Sequence, residues 1–90
     1  TVGGNVIENQ ASLNAFNGMW FGGDIGGGIF NNVANNSGLG DGIHAAANVA
    51  GGVAGNTANN NADDGIDVDG TIGFVGANTF SGNGDQGLEN

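Results

Sequence analysis

Residues 51–66 read Gly-Gly-Val-Ala-Gly-Asn-Thr-Ala-Asn-Asn-Asn-Ala-Asp-Asp-Gly-Ile, and the chain repeats this pattern three more times with substitutions, from Gly4 to Met19, Gly27 to Ile43 and Gly73 to Leu88. Each copy centres on an Asn-x-(Ala/Phe) core: Asn9 with Ala11, Asn32 with Ala34, Asn56 with Ala58, and Asn78 with Phe80. Each core is followed by a polar-Gly-apolar triplet that ends in Gly18-Met19, Gly42-Ile43, Gly65-Ile66 or Gly87-Leu88. The central Asn recurs after 23, 24 and 22 residues. A period of this length marks a stacked-repeat architecture, in which units bury their faces against one another. Residues 1–90 therefore read as a single repeat region, with units at about 4–26, 27–50, 51–72 and a truncated 73–90.

Within a unit, the second half alternates with period two, as a strand with one buried face does. Met19, Phe21, Gly23 and Ile25 superimpose on Ile43, Ala45, Ala47 and Val49, and on Ile66, Val68, Gly70 and Ile72. The first half is also strand-like, with Val6, Ile29, Val53 and Val75 in one column and Ile7, Phe30, Ala54 and Gly76 in another. Two strands per unit follow. Joined through Asn-Gly, Asp-Gly or Gln-Gly, they form either a hairpin or a β-arch; the superimposed columns favour the arch, which stacks like on like at about 4.8 Å. Gly18, Gly42, Gly65 and Gly87 are expected in the turns, where glycine accepts positive φ. Trp20, Phe21, Ile43 and Ile66 are expected to pack between layers, with Phe16 completing an aromatic cluster.

Composition narrows the function. Gly (21) and Asn (16) exceed a third of the 90 residues, too little apolar material for a large core. There is no Lys or Arg against nine acids, a formal charge of −9. Such a chain cannot neutralise phosphate, which argues against nucleic acid and anionic membrane surfaces as partners. With no Cys it has neither a disulfide frame nor a thiolate metal site. No apolar run is long enough to span a membrane, and the start at Thr1 without Met reads as a processed product. His44 is the only imidazole and has no Cys, Lys, Arg or Tyr to assist it, so the chain is not expected to be an enzyme.

Stacking gives the Asn column a role. Amides piled at strand spacing hydrogen-bond along the pile and satisfy one another in a dry interior. Asn9, Asn32, Asn56 and Asn78 suit such a ladder, with Ala11, Ala34, Ala58 and Phe80 packed beside it. Four rungs leave two open edges, and the sequence has no Pro, Lys or cap to blunt them. The last unit can continue onto the first unit of another copy, a head-to-tail contact that propagates.

The spacing and the stretch Gly52-Val53-Ala54-Gly55-Asn56-Thr57-Ala58 resemble the curli repeat, and Gly42-Ile43-His44-Ala45-Ala46-Ala47-Asn48-Val49 is similar to Fap-type bacterial functional amyloid. The resemblance implies an all-β, amyloid-like cross-β stack of β-arch or β-solenoid repeats. It further implies a secreted structural subunit of an extracellular fibre in a biofilm matrix, whose partner is itself, with fibres bundling laterally.

Two rival readings come from local motifs. Asp63, Asp64, Asp67 and Asp69 lie in Asp-Asp-Gly-Ile-Asp-Val-Asp-Gly, similar to the middle of an EF-hand loop, which makes Ca²⁺ the one cofactor the sequence suggests and a secreted calcium-binding β-roll or adhesin segment an alternative. Alternatively, Ala45 to Ala58 reads as a small-residue helix, as in a Gly-rich membrane-active microcin-like peptide.

Overall fold

The computed structural model describes all residues from Thr1 to Asn90 and contains no helix. Ten short strands occur in chain order: β1 (Val6–Ile7), β2 (Met19–Phe21), β3 (Ile29–Phe30), β4 (Ile43–Ala45), β5 (Val49–Ala54), β6 (Thr57–Asn59), β7 (Ile66–Val68), β8 (Ile72–Val75), β9 (Thr79–Ser81) and β10 (Leu88–Glu89). Every pairing is parallel, and each strand bonds to the equivalent strand one unit away. The chain is thus a β-solenoid of four rungs. Its hairpins are absent because Asn-Gly and Asp-Gly sit at corners between sheets, not between paired strands.

Three sheets run along the stack. The first orders β1-β3-β5-β8, the second β2-β4-β7-β10, and the third pairs β6 with β9. Bridges Gln10↔Val33 and Val33↔Thr57 extend the third sheet through all four rungs. A further corner column joins Val2, Ile25, Val49 and Ile72. Each rung therefore has three strand positions and a corner, where the alternation predicts two strands. Positive φ causes the difference. Glu8, Asn31 and Gly55 share one left-handed column, and Leu13, Asn36, Asn60 and Gly82 share another. These two kinks set off a short face between them, too brief to display its own periodicity. Ala45–Ala58, the candidate helix, lies in β4 to β6.

A narrow core runs down the axis. Ile29, Val53, Ile43, Ile66, Val49 and Ala58 are fully buried, and each belongs to a column that the stacking aligns. The glycine column matters by its lack of a side chain, not by its φ. A Cβ on Gly42 would stand 2.6 Å from the carbonyl oxygens of both Ala34 and Gly65. The Ala34 and Ala58 column and the Gly42 and Gly65 column close the core at this waist; these glycines sit at bends, as expected, but without positive φ, and it is close backbone approach that excludes a side chain. Trp20 and Phe16 are largely exposed and do not cluster with Phe21; the one aromatic pair is Phe30 with Phe74, ring centroids 6.3 Å apart.

Asn side chains supply what the small core cannot. Asn9 Nδ2 donates to Asn32 Oδ1 at 3.0 Å, Asn32 Nδ2 to Asn56 Oδ1 at 3.0 Å, and Asn56 Nδ2 to Asn78 Oδ1 at 2.9 Å. The same acceptor oxygens also take the backbone N–H of Asn9, Asn32 and Asn56. A second ladder, not singled out from sequence, runs through Ser37, Asn61 and Asn83: Ser37 N–H donates to Asn61 Oδ1, and Asn61 donates from both its N–H and Nδ2 to Asn83 Oδ1. Ser37 interrupts it, leaving a buried Oγ without a partner. Asn at this position would reach the Asn61 oxygen as Asn61 reaches Asn83. Ser37→Asn is therefore expected to raise stability by about 1 kcal/mol, the net value of a satisfied buried hydrogen bond; denaturant midpoints of the two proteins measure it.

Candidate functional site

Two surfaces of the solenoid carry chemistry: its open ends and an acidic ledge beside the second sheet. At the first rung, Val6, Met19 and Phe21, with Asn5, Asn9 and Trp20, line an open groove of about 410 Å³. No strand covers these residues. At the fourth rung, Val75 is 56% exposed although its column mates Ile29 and Val53 are fully buried. Of the seven large hydrophobic residues left exposed, Ile7, Leu13, Phe16 and Trp20 belong to the first rung and Phe74 and Val75 to the fourth; only Leu39 lies between. Apolar exposure is concentrated where backbone groups lack partners.

The assembly residues read from the sequence divide by position. Asn32 and Asn56, with Ala34 and Ala58, are fully buried inside the stack. Asn9 and Ala11 lie on the first rung, and Asn78 and Phe80 on the fourth. Phe80 takes the place of Ala at the end of its column, with its ring over Gly65 and Gly87. Ile43 and Ile66 are fully buried, whereas Trp20 folds over Gly22 on the outside.

The ledge carries Asp41, Asp63, Asp64, Asp67, Asp69, Asp85 and Glu89, with His44 set against Asp41, Asp67 and Asp69. Three groups bring ligand atoms within 4.8 Å of one another: Asp41, His44 and Asp67; Asp41, Asp63 and Asp64; and Asp64, Asp85 and Glu89. The four acids of the calcium motif are thereby divided. Asp63 and Asp64 join Asp41 from the rung below, while Asp67 joins Asp41 and His44, and Asp69 Oδ2 lies 3.2 Å from His44 Nε2 and accepts from it when that nitrogen is protonated. Asp41, His44, Asp85 and Glu89 lie outside the linear motif, on other rungs. The oxygen sets suit a hard cation such as Ca²⁺, which would draw on carboxylates from neighbouring rungs.

Backbone bonds partly hold the ledge together. Asp64 N–H donates to Asp41 Oδ1 at 2.9 Å, and Gln86 N–H to Asp64 Oδ1 at 2.8 Å. Burial, then the charges of Asp63, Asp41 and Asp85, push the Asp64 carboxyl above its usual range, against the bond from Gln86. Burial and the charges of Asp41 and Asp69 do the same to Asp67. The Asp64 charge raises Glu89. For His44, burial opposes the charge, but hydrogen bonds to Asp69 and Asp41 and the charges of Asp67 and Asp41 outweigh it, so its pKa is raised.

All these shifts act in one direction on stability. At these four groups the folded chain holds its protons to higher pH than the unfolded chain, so the stability they contribute falls as pH rises above the unfolded carboxyl values and then through the His44 range. For the carboxyls it is lost on ionisation above their unfolded values. For His44 it is complete below the unfolded pKa and lost as pH passes the folded one. The melting temperature is expected to fall from pH 4 to pH 8, and His44→Gln to flatten the upper part of that profile; a rise over the same range would contradict the arrangement.

The fold defines a class: a four-rung parallel β-solenoid with internal amide ladders. Searches against protein families, curated proteins and solved structures return no match.

Proposed function

We propose that the chain is a structural subunit of an extracellular amyloid-like fibre, which assembles by stacking the end of one solenoid on the end of the next. The observation that carries the reading is the concentration of exposed apolar side chains and unpaired strand edges on the two end rungs. Large exposed apolar patches mark interaction sites, and an open parallel edge is a template for another strand. The absence of Lys and Arg leaves no cationic patch for nucleic acid. The biofilm setting and the extracellular location rest on the resemblance to curli-like and Fap-like repeats.

The test is assembly of the purified chain, followed by sedimentation and negative-stain microscopy. Unbranched filaments with retained β-sheet circular dichroism are expected. A chain that stays monomeric at high concentration and in added salt, which screens its charge, would remove the fibre reading.

A further inference from the structure

We propose that the fibre contact has one polarity and one register, in which Val75–Glu89 of one copy lies on Val6–Trp20 of the next. This rests on the fibre reading above and specifies its interface. Three independent observations lead to it.

The first is hydrogen-bond parity. In the Asn9 column, each N–H donates to the Oδ1 of the following rung, and the Asn61 column follows the same rule. In the Asn17 column the direction reverses: Asp41 N–H donates to Asn17 Oδ1, and Gln86 N–H to Asp64 Oδ1. At the fourth-rung end, Asn78 and Asn83 present N–H donors with no rung above them, and Gln86 presents an acceptor oxygen. At the first-rung end, Asn9 and Asn14 present acceptor oxygens, and Asn17 presents an N–H. Two donors and an acceptor thus meet two acceptors and a donor only when unlike ends join. Like ends would press oxygen on oxygen at the first rung or N–H on N–H at the fourth, and buried polar groups left unpaired are costly.

The second is spacing. Asn78 and Asn9, Asn83 and Asn14, Gln86 and Asn17, and Glu89 and Trp20 are each separated by 69 residues, as are Val75 and Val6. The whole segment therefore lies in register with no insertion. The junction between the first and second rungs is less regular, shifting from 23 residues at Val6↔Ile29 to 24 at Met19↔Ile43.

The third is charge. Inside the chain Asp67 of the third rung stacks on Glu89 of the fourth. At the proposed junction Asp85 meets Phe16, Glu89 meets Trp20, and Glu8 of the first rung meets Ala77, so no acid lies on an acid. A surface of net charge −9 would otherwise repel its copy.

The chain has no cysteine, so introduced thiols report the contact directly. Phe16 and Asp85 are exposed, and stacked rungs would bring their Cα atoms to about 4.8 Å, within disulfide reach. Fibres of the double variant F16C/D85C, oxidised and run on a non-reducing gel, are expected to give a ladder of covalent multimers. Fibres of F16C alone or D85C alone are expected to give monomer only. Dimers from either single variant, or no ladder from fibres of the double variant, would overturn the register. Failure of the unmodified chain to form fibres would instead strike the functional reading itself.

Discussion

Replacing Asn56 by Asp is expected to unfold the chain at neutral pH. Asn56 is fully buried, and its Nδ2 lies 2.9 Å from the Ile29 carbonyl oxygen, 3.2 Å from that of Ala54 and 2.9 Å from Asn78 Oδ1. Aspartate puts a second oxygen at that point, facing three acceptors, and adds a charge in a chain with no Lys or Arg to pair with it. Removing one partner from a buried charge-bearing network costs roughly 3–5 kcal/mol. A domain this small has about 5–15 kcal/mol at most to lose. Protonation would restore one donor, so partial refolding near about pH 4 is expected. Asn78→Asp should be milder, because its amide is only partly buried. Circular dichroism of the three proteins against pH checks the series, and a native spectrum for Asn56→Asp at neutral pH would show that the ladder is dispensable.

The second large effect is at Gly42. An alanine Cβ there would stand 2.6 Å from two backbone oxygens belonging to different rungs, and 2.8 Å from the Asn61 Nδ2 that serves the second ladder. Backbone cannot rotate away as a side chain can. The rungs must separate or the waist must widen, an overpacking cost of about 3 kcal/mol or somewhat more. Gly4→Ala is the matched control, since nothing lies within 4 Å of its added Cβ. The expected result is a lowered denaturant midpoint for Gly42→Ala and an unchanged one for Gly4→Ala. Equal midpoints would mean that the glycine column is a compositional habit and not a packing requirement.

These two sites illustrate what the sequence displayed and what it concealed. The Asn column was legible because a single residue type recurs while its neighbours vary, and parallel stacking follows from repeats of nearly constant length. The strand around Ile43 and Ile66 was legible through its period of two. The third sheet was not. Its positions, Gln10, Val33, Thr57 and Thr79, are hemmed between left-handed kinks, and a face two or three residues long carries no periodic signal. Glycine after Asp or Asn suggested a positive-φ turn by its chemistry, yet the left-handed residues include Glu8 and Leu13, which propensity disfavours. The stack fixes those backbones because their column mates, Gly55 and Gly82, set the geometry.

The acidic ledge was half legible for a related reason. Asp63, Asp64, Asp67 and Asp69 stand out as a linear motif, but the groups that meet in space are assembled across rungs. Asp41 reaches Asp64 from 23 positions away, and His44 reaches Asp69 from 25. Solenoids build their surfaces from columns, so a site's members are spread through the sequence at the repeat interval. Aligned columns join His44 and Asp85 to the linear motif, and the fourth rung adds Glu89.

The central claim is that whole four-rung solenoids stack end on end. Helical reconstruction of the fibres tests it most directly, through the axial rise per subunit. Four rungs at a strand spacing of about 4.8 Å predict a rise of about 19 Å per chain, with the Asn ladder continuous across each junction. A rise near 4.8 Å would mean that each chain lies flat in a single layer, and would contradict the account.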